Sequence, residues 1–211
     1  MAGRIITVAQ QKGGSGKTTL AVNLAIALRQ RGLSVALIDT DPQGSLGRWY
    51  IERLGRKGED DELEFSTSSA WGASYESEKL KKRFDAVIID TPPKIDSDLR
   101  PALRAADLVV VPVASSQVDL WATEGVLDLA RREKAPVLVV MNRARPNTRL
   151  GAEVAQGAAE LGASVADVQI GNRVAYAETL GQGLAVCERS DAKPARDELD
   201  LLTDEVLAAF E

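Results

Sequence analysis

The sequence predicts a doubly wound α/β fold around a mostly parallel twisted sheet flanked by helices. Three observations carry this. The apolar runs Val35-Ala36-Leu37-Ile38, Val87-Ile88-Ile89, Leu108-Val109-Val110-Val111 and Val137-Leu138-Val139-Val140 are continuous rather than alternating, as in strands covered on both faces. Helical stretches separate them, and strand–helix alternation makes a parallel sheet. A glycine-rich turn joins the first strand to the first helix, and such folds gather ligands at the carboxyl ends of their strands.

The elements follow in order. The run from Ile5 to Ala9 predicts a strand at 5–9. Amphipathic residues from Leu20 to Gln30 predict a helix over 16–31, starting where the glycines end. A strand at 34–39 ends on Asp39, and a helix over 44–54 follows Asp41-Pro42-Gln43-Gly44. Polar residues 55–61 read as a surface loop, before a strand at 63–66 and a helix over 75–83. A strand at 86–90 ends on Asp90, and Pro92-Pro93 stiffens its exit. A helix over 97–105 and a strand at 108–111 come next, and 112–121 read as a loop. A helix over 123–133, a strand at 137–141, a helix over 150–161, a strand at 164–168 and helices over 173–180 and 193–210 complete the chain. No repeat, low-complexity tract or linker interrupts it, so residues 1–211 are expected to form one domain.

The chemistry starts at Gln10-Gln11-Lys12-Gly13-Gly14-Ser15-Gly16-Lys17-Thr18-Thr19. Strand, glycine loop and helix form the context a phosphate-binding loop requires. Gly13, Gly14 and Gly16 let backbone N–H groups turn inward toward phosphate oxygens, and the helix adds its positive N-terminal end. Lys17 supplies a cation for the β- and γ-phosphates, and the Thr18 hydroxyl suits Mg²⁺. Gln11 stands where the ordinary pattern has glycine, and Lys12 is a surplus cation. A loop needs one lysine for its own phosphates, so a second one directed outward could reach a nucleotide across a dimer.

Asp39 and Asp41 close the second strand on the ligand side, and Asp90 ends the fourth, where a carboxylate can hold a Mg²⁺ water. Asn142 ends a later strand, where it reads as a turn-forming residue or as an amide able to both donate to and accept from a ligand. Asp85 reads as a strand-entry residue. Trp121 reads as core or as a partner-facing anchor, and Asp119 as a helix cap or an interface residue.

Composition excludes several chemistries. The chain has no histidine, so neither His-based acid–base catalysis nor a His zinc site is available. Its single cysteine, Cys187, excludes an internal disulfide framework and any paired-cysteine metal or redox centre. Net charge is −5, but Arg143, Arg145 and Arg149 form a basic stretch without acids. No signal peptide or membrane-spanning run is read, and the expected location is cytoplasmic.

Lys12-Gly13-Gly14-Ser15-Gly16-Lys17-Thr18-Thr19 resembles the deviant Walker A box of the ParA/MinD ATPases, and Gln10-Gln11 is common in the ParA branch. The resemblance extends through most of the chain. It implies a P-loop ATPase with ATP and Mg²⁺ as cofactors, in the small form without a helix-turn-helix domain before the first strand. Asp41 would orient the attacking water near Mg²⁺ with Asp39 behind it, Asn142 would meet adenine, and Lys12 would reach the partner subunit's nucleotide. The implied partners are a second copy in an ATP sandwich dimer, non-specific DNA, and a ParB-like or cargo-specific adaptor that stimulates a slow hydrolysis. The implied place is the nucleoid. Ile170-Gly171-Asn172-Arg173-Val174-Ala175-Tyr176 resembles a family motif that makes Arg173 a DNA-contact candidate; Arg143, Arg145 and Arg149 are further ones. Cargo could be a plasmid, a chromosome, a chemoreceptor cluster or a carboxysome. The rivals are a MinD-like membrane ATPase and a P-loop biosynthetic enzyme. The stretch 197–211 opposes the first, because it carries six acids (197, 198, 200, 204, 205 and 211) and no base, which anionic lipid would repel.

Overall fold

The computed structural model describes residues 3–93, 99–114, 116–144 and 149–210. Seven strands form one sheet in the order β3-β2-β4-β1-β5-β6-β7. They are β1 (Arg4–Val8), β2 (Val35–Asp39), β3 (Leu63–Thr67), β4 (Ala86–Asp90), β5 (Leu108–Ala114), β6 (Val137–Asn142) and β7 (Ser164–Val165). Every pairing is parallel. The helices are α1 (Lys17–Gln30), α2 (Ser45–Lys57), α3 (Ala73–Leu80), α4 (Arg100–Ala105), α5 (Gln117–Arg132), α6 (Arg149–Glu160), α7 (Val174–Leu180) and α8 (Lys193–Ala208).

The continuous apolar runs have their physical reason in the two faces of this sheet. Ile6, Val8, Leu37, Ile88, Val110 and Val140 point to one side, against α1, α2, α7 and α8. Their neighbours Ile5, Ile38, Val87 and Ile89 point to the other, against α3 and α4. Val109, Val111, Val139 and Met141 continue that second layer against α5 and α6. Helix α1 lies between the sheet and α7 and α8, so its residues from Leu20 to Leu28 are all buried. β1 sits between β4 and β5, which puts the loop after it at the point where the strand order reverses, the usual ligand crevice of such sheets.

Three differences from the sequence reading have their reason in the packing. β5 runs on to Ala114, and α5 starts at Gln117 rather than 123. Pro112 is tolerated inside β5 because its carbonyl points to the β1 side beyond the end of β1, where it accepts from Gln10 Nε2 at 3.2 Å; the missing N–H faces the same gap. The Ser116 side chain accepts from Asp119 N and starts α5 early. β7 is only two residues long, because Asp167 N and Val168 N turn away from the ladder to the Glu205 carboxylate at 2.9 Å each.

Candidate nucleotide site

The loop after β1 turns through Gly14 at φ 74° and Gly16 at φ 95°, conformations that L side chains rarely adopt. Gly16 has a second reason to be glycine: a Cβ there would lie 2.4 Å from Asn142 Nδ2. Asn142, at the end of β6 and 7% exposed, donates from Nδ2 to Ser15 O at 2.7 Å and accepts from Arg143 N at 3.0 Å. Its amide therefore ties the glycine loop to β6, leaving one donor and one lone pair for a base. Gly13 has nothing within 4 Å of a virtual Cβ, so its backbone is open to a close approach.

Lys17 starts α1 and is 7% exposed. Burial lowers its pKa, and the carboxylates of Asp90 and Asp41 oppose that shift, so the site surrounds this cation with negative charge. Thr18 Oγ1 donates to Asp90 Oδ2 at 2.6 Å. Asp39 and Asp90 are register partners on adjacent strands. Asp39 accepts from Asp41 N at 3.0 Å and Gly47 N at 3.1 Å, so it shapes the turn that carries Asp41 and fixes the start of α2. Thr40, which the sequence did not single out, donates through N and Oγ1 to Asp90 O at 3.1 and 2.8 Å. Asp41 is half-buried and accepts from Gln43 N. Asp85 sits at the other end of β4, bonded to Ser34.

The donor set suits magnesium. Asp90 Oδ1 and Ser15 Oγ are buried with no hydrogen-bond partner among the described residues, beside the Thr18 hydroxyl. Those residues hold no group of three or more His, Cys, Asp or Glu able to cage a metal. Such a site fits an ion that takes most of its oxygens from phosphate and water, as Mg²⁺ does.

Asp90 is 1% exposed. Burial pushes its carboxyl up to about 7; the Thr18 hydrogen bond and Lys17 act against this, and Asp39 and Asp41 act with it. A folded pKa above the unfolded value, 3.8 for this group, gives stability that is full below the unfolded pKa and is lost as pH rises through 7. Asp90→Asn should therefore stabilise the nucleotide-free protein at pH 8.5, by up to roughly 4 kcal/mol, and far less at pH 4.5. Denaturant midpoints at the two pH values test this; an equal gain at both removes the titration argument.

Residues 10–12 are tied to the start of α5. Gln10 Nε2 donates to Thr123 Oγ1 at 3.0 Å, Gln11 Nε2 donates to Ala122 O, and Lys12 Nζ lies 2.6 Å from Asp119 Oδ1. Lys12 is thus directed away from its own loop. Asp119, whose side chain is 8% exposed, is also bonded to Ser116 Oγ. Trp121 is 60% exposed and Val118 58%.

A pocket adjoins the loop. Gly16, Thr19, Asn142, Gly171, Arg173 and Tyr176 are among its lining. A base attached to phosphates in the loop would lie here. Arg173 is engaged by Glu198 on α8, with Nη2 at 2.5 Å. Arg143 is exposed at φ 52°, and Arg149 is exposed with Glu153 at 2.8 Å. Arg145 lies outside the described residues. Cys187 is half-buried, and burial pushes its thiol up to about 12, which leaves it unreactive at neutral pH.

A glycine loop at the reversal point of a parallel sheet, with an aspartate ending the adjacent strand, defines a P-loop nucleotide-binding protein. The chain belongs to the CobQ/CobB/MinD/ParA nucleotide binding domain family, whose model matches residues 6–186. It is 29% identical over 209 residues to maintenance of carboxysome distribution protein A of Halothiobacillus neapolitanus, covering 96% of this chain and 95% of that protein. It is 32% identical over 243 residues to the chromosome-partitioning ATPase Soj of Thermus thermophilus, covering 97% and 96%. The fold is that of an McdA variant from Cyanothece solved as an ATP complex, with TM-score 0.80, 19% identity and coverage of 99% of this chain and 97% of that one.

Proposed function

We propose that this chain is a ParA-type ATPase whose ATP-bridged dimer binds DNA without sequence preference and positions cargo over the nucleoid. The observation that carries the reading is the surplus lysine. Lys17 is buried beside Asp90 and Asp41, while Lys12 is turned out of the loop and held by Asp119. Released from Asp119, a cation on this outer side of the loop would suit the phosphates of a second subunit. The reaction is transfer of the γ-phosphoryl group of ATP to water, releasing ADP and phosphate. Its transition state spreads charge over phosphoryl oxygens, so positioning and electrostatics supply the catalysis. Lys17 and the loop N–H groups would hold the β- and γ-phosphates. Asp41 would orient the water, and Lys12 of the other subunit would add charge across the dimer. Magnesium, held by Thr18 with Asp90 and Asp41 through water, would neutralise phosphate oxygens. Loss of the γ-phosphate shared by both subunits would loosen the dimer, giving a nucleotide-timed switch that a ParB-like or cargo-specific adaptor accelerates.

The two relatives that span the whole chain are named for different cargoes, a carboxysome and a chromosome, so the proposal stands at the level of positioning. The nucleoid reading is favoured over a membrane one by α8, whose Leu199, Leu202 and Val206 are spent on the core rather than left for lipid. No described helix is long and apolar enough to cross a membrane.

The DNA patch would rest on Arg143, Arg145 and Arg149, doubled by dimerisation; Arg149 and Arg173 each carry an acidic partner, the more exposed one being Glu153 beside Arg149. About six phosphate contacts per dimer predict a loss of roughly 10³ in affinity between 50 and 200 mM salt. Fluorescence anisotropy with duplexes of two unrelated sequences should show that fall with ATP and Mg²⁺, alike for both, and no binding with ADP. Equal binding in ADP and ATP, or none at 50 mM salt, would sink the nucleoid mechanism.

A further inference from the structure

We infer that Arg173, locked by Glu198, is a base-positioning residue of the nucleotide pocket; this rests on the nucleotide reading and deepens it. Arg173 lines the pocket beside Gly16, Thr19 and Asn142. Its guanidinium is fixed along one edge: Nε donates to both Glu198 oxygens at 3.0 Å and Nη2 to Oε1 at 2.5 Å. The same carboxylate accepts from Gly171 N at 3.1 Å. Gly171 packs closely against the pair: a Cβ there would stand 3.1 Å from Glu198 Oε1 and 3.2 Å from Arg173 Nε, so the two side chains would have to shift by a few tenths of an ångström. One turn earlier on α8, Ala195 O accepts from Tyr176 Oη at 3.1 Å, and Tyr176 lines the same pocket. Two successive contacts from α8 thus set the pocket wall that Arg173 and Tyr176 form.

A guanidinium has five N–H donors in a rigid plane. Glu198 takes donors of one edge, and the Nη1 pair has no hydrogen-bond partner among the described residues. A preset plane that offers only donors suits a ring carrying nitrogen acceptors, and a purine has more of these at its edge than a pyrimidine. Held this way, Arg173 loses little conformational freedom on binding, which strengthens each contact it makes. Its charge is offset by Glu198, which weakens it as a phosphate contact for an outside duplex.

The test separates base from phosphate. Titration calorimetry with ATP, CTP and inorganic tripolyphosphate is run on the wild type, Arg173→Ala and Arg173→Lys. Arg173→Ala should weaken ATP about tenfold, narrow the preference for ATP over CTP, and leave tripolyphosphate within about twofold. Arg173→Lys keeps the ion pair to Glu198, and so the fold, but lacks the planar fork; it should lose part of the ATP affinity and none of the tripolyphosphate affinity. Equal weakening of ATP and tripolyphosphate would make the pair merely structural and overturn the inference. So would full ATP affinity in Arg173→Ala, whether or not DNA binding falls. A wild type that binds tripolyphosphate but shows no preference among nucleotides would overturn it too, while a wild type that binds none of the three ligands would remove the nucleotide reading itself.

Discussion

Asp41→Ala is expected to bind ATP and Mg²⁺ within about threefold of the wild type and to lose hydrolysis by about 10²- to 10⁴-fold. Asp41 lies just past the end of β2, and its backbone N–H is held at 3.0 Å by Asp39. The adjoining Thr40 is pinned to Asp90 O through two bonds. The carboxylate is therefore placed by two strands at once, close enough to Lys17 to bias that lysine toward its charged form. Removing it leaves Lys17, Thr18 and the glycine loop in place, so the phosphates keep their partners. What is lost is the group proposed to orient water, and that loss falls on the rate. The ATP dimer should then persist. Phosphate release and sedimentation velocity read both effects; hydrolysis at the wild-type rate would end the water-positioning role.

The strands were legible because burial on both faces leaves an uninterrupted apolar run, and Ile88 and Val110 could be assigned from that alone. The glycine loop was legible because Gly14 and Gly16 adopt conformations other residues avoid. The start of α5 was not read, although a signal was there: Ser116 and Asp119 have the spacing of a helix-opening box. Residues Ser115-Ser116 after a strand look like loop, and Pro112 reads as a strand breaker until its carbonyl is seen beyond the end of β1. Asn142 was read as a base contact, and the structure adds its bond to Ser15 O, which explains why Gly16 has no room for a Cβ. Glu198 left no trace in the sequence. It lies on α8, 25 positions from Arg173, and only tertiary packing brings the two together. The DNA assignment of Arg173 rests on resemblance alone, and the sequence carries no sign of its pairing with Glu198. Lys12 was recognised as surplus, but its hold on Asp119 joins segments more than a hundred residues apart and could not be read from either.

That hold would make Lys12 and Asp119 opposite levers on the proposed dimer. The Lys12 ammonium sits 2.6 Å from Asp119 Oδ1 with 43% of its side chain exposed. It cannot stay there and also reach a nucleotide on another subunit. A pair whose lysine is half exposed is held less firmly than a fully buried one, so the contact is a restraint that the proposed ATP-driven pairing would have to overcome. Lys12→Ala should remove the cross-subunit cation and weaken the ATP dimer about 100-fold, comparable to losing a charged hydrogen bond in a dry interface, with ATP affinity of the monomer little changed. Asp119→Asn should act in the other direction and tighten the ATP dimer about threefold to fivefold by freeing Lys12. Both are measured by sedimentation equilibrium in the Asp41→Ala background, where ATP persists. Salt adds an independent check, since an ion pair with an exposed partner is screened: raising salt should erase the gain from Asp119→Asn before it erases the loss from Lys12→Ala. Identical masses in apo, ADP and ATP samples would reject the sandwich dimer. A dimer weakened by both substitutions would mean that the Lys12–Asp119 pair supports the interface rather than restraining the lysine.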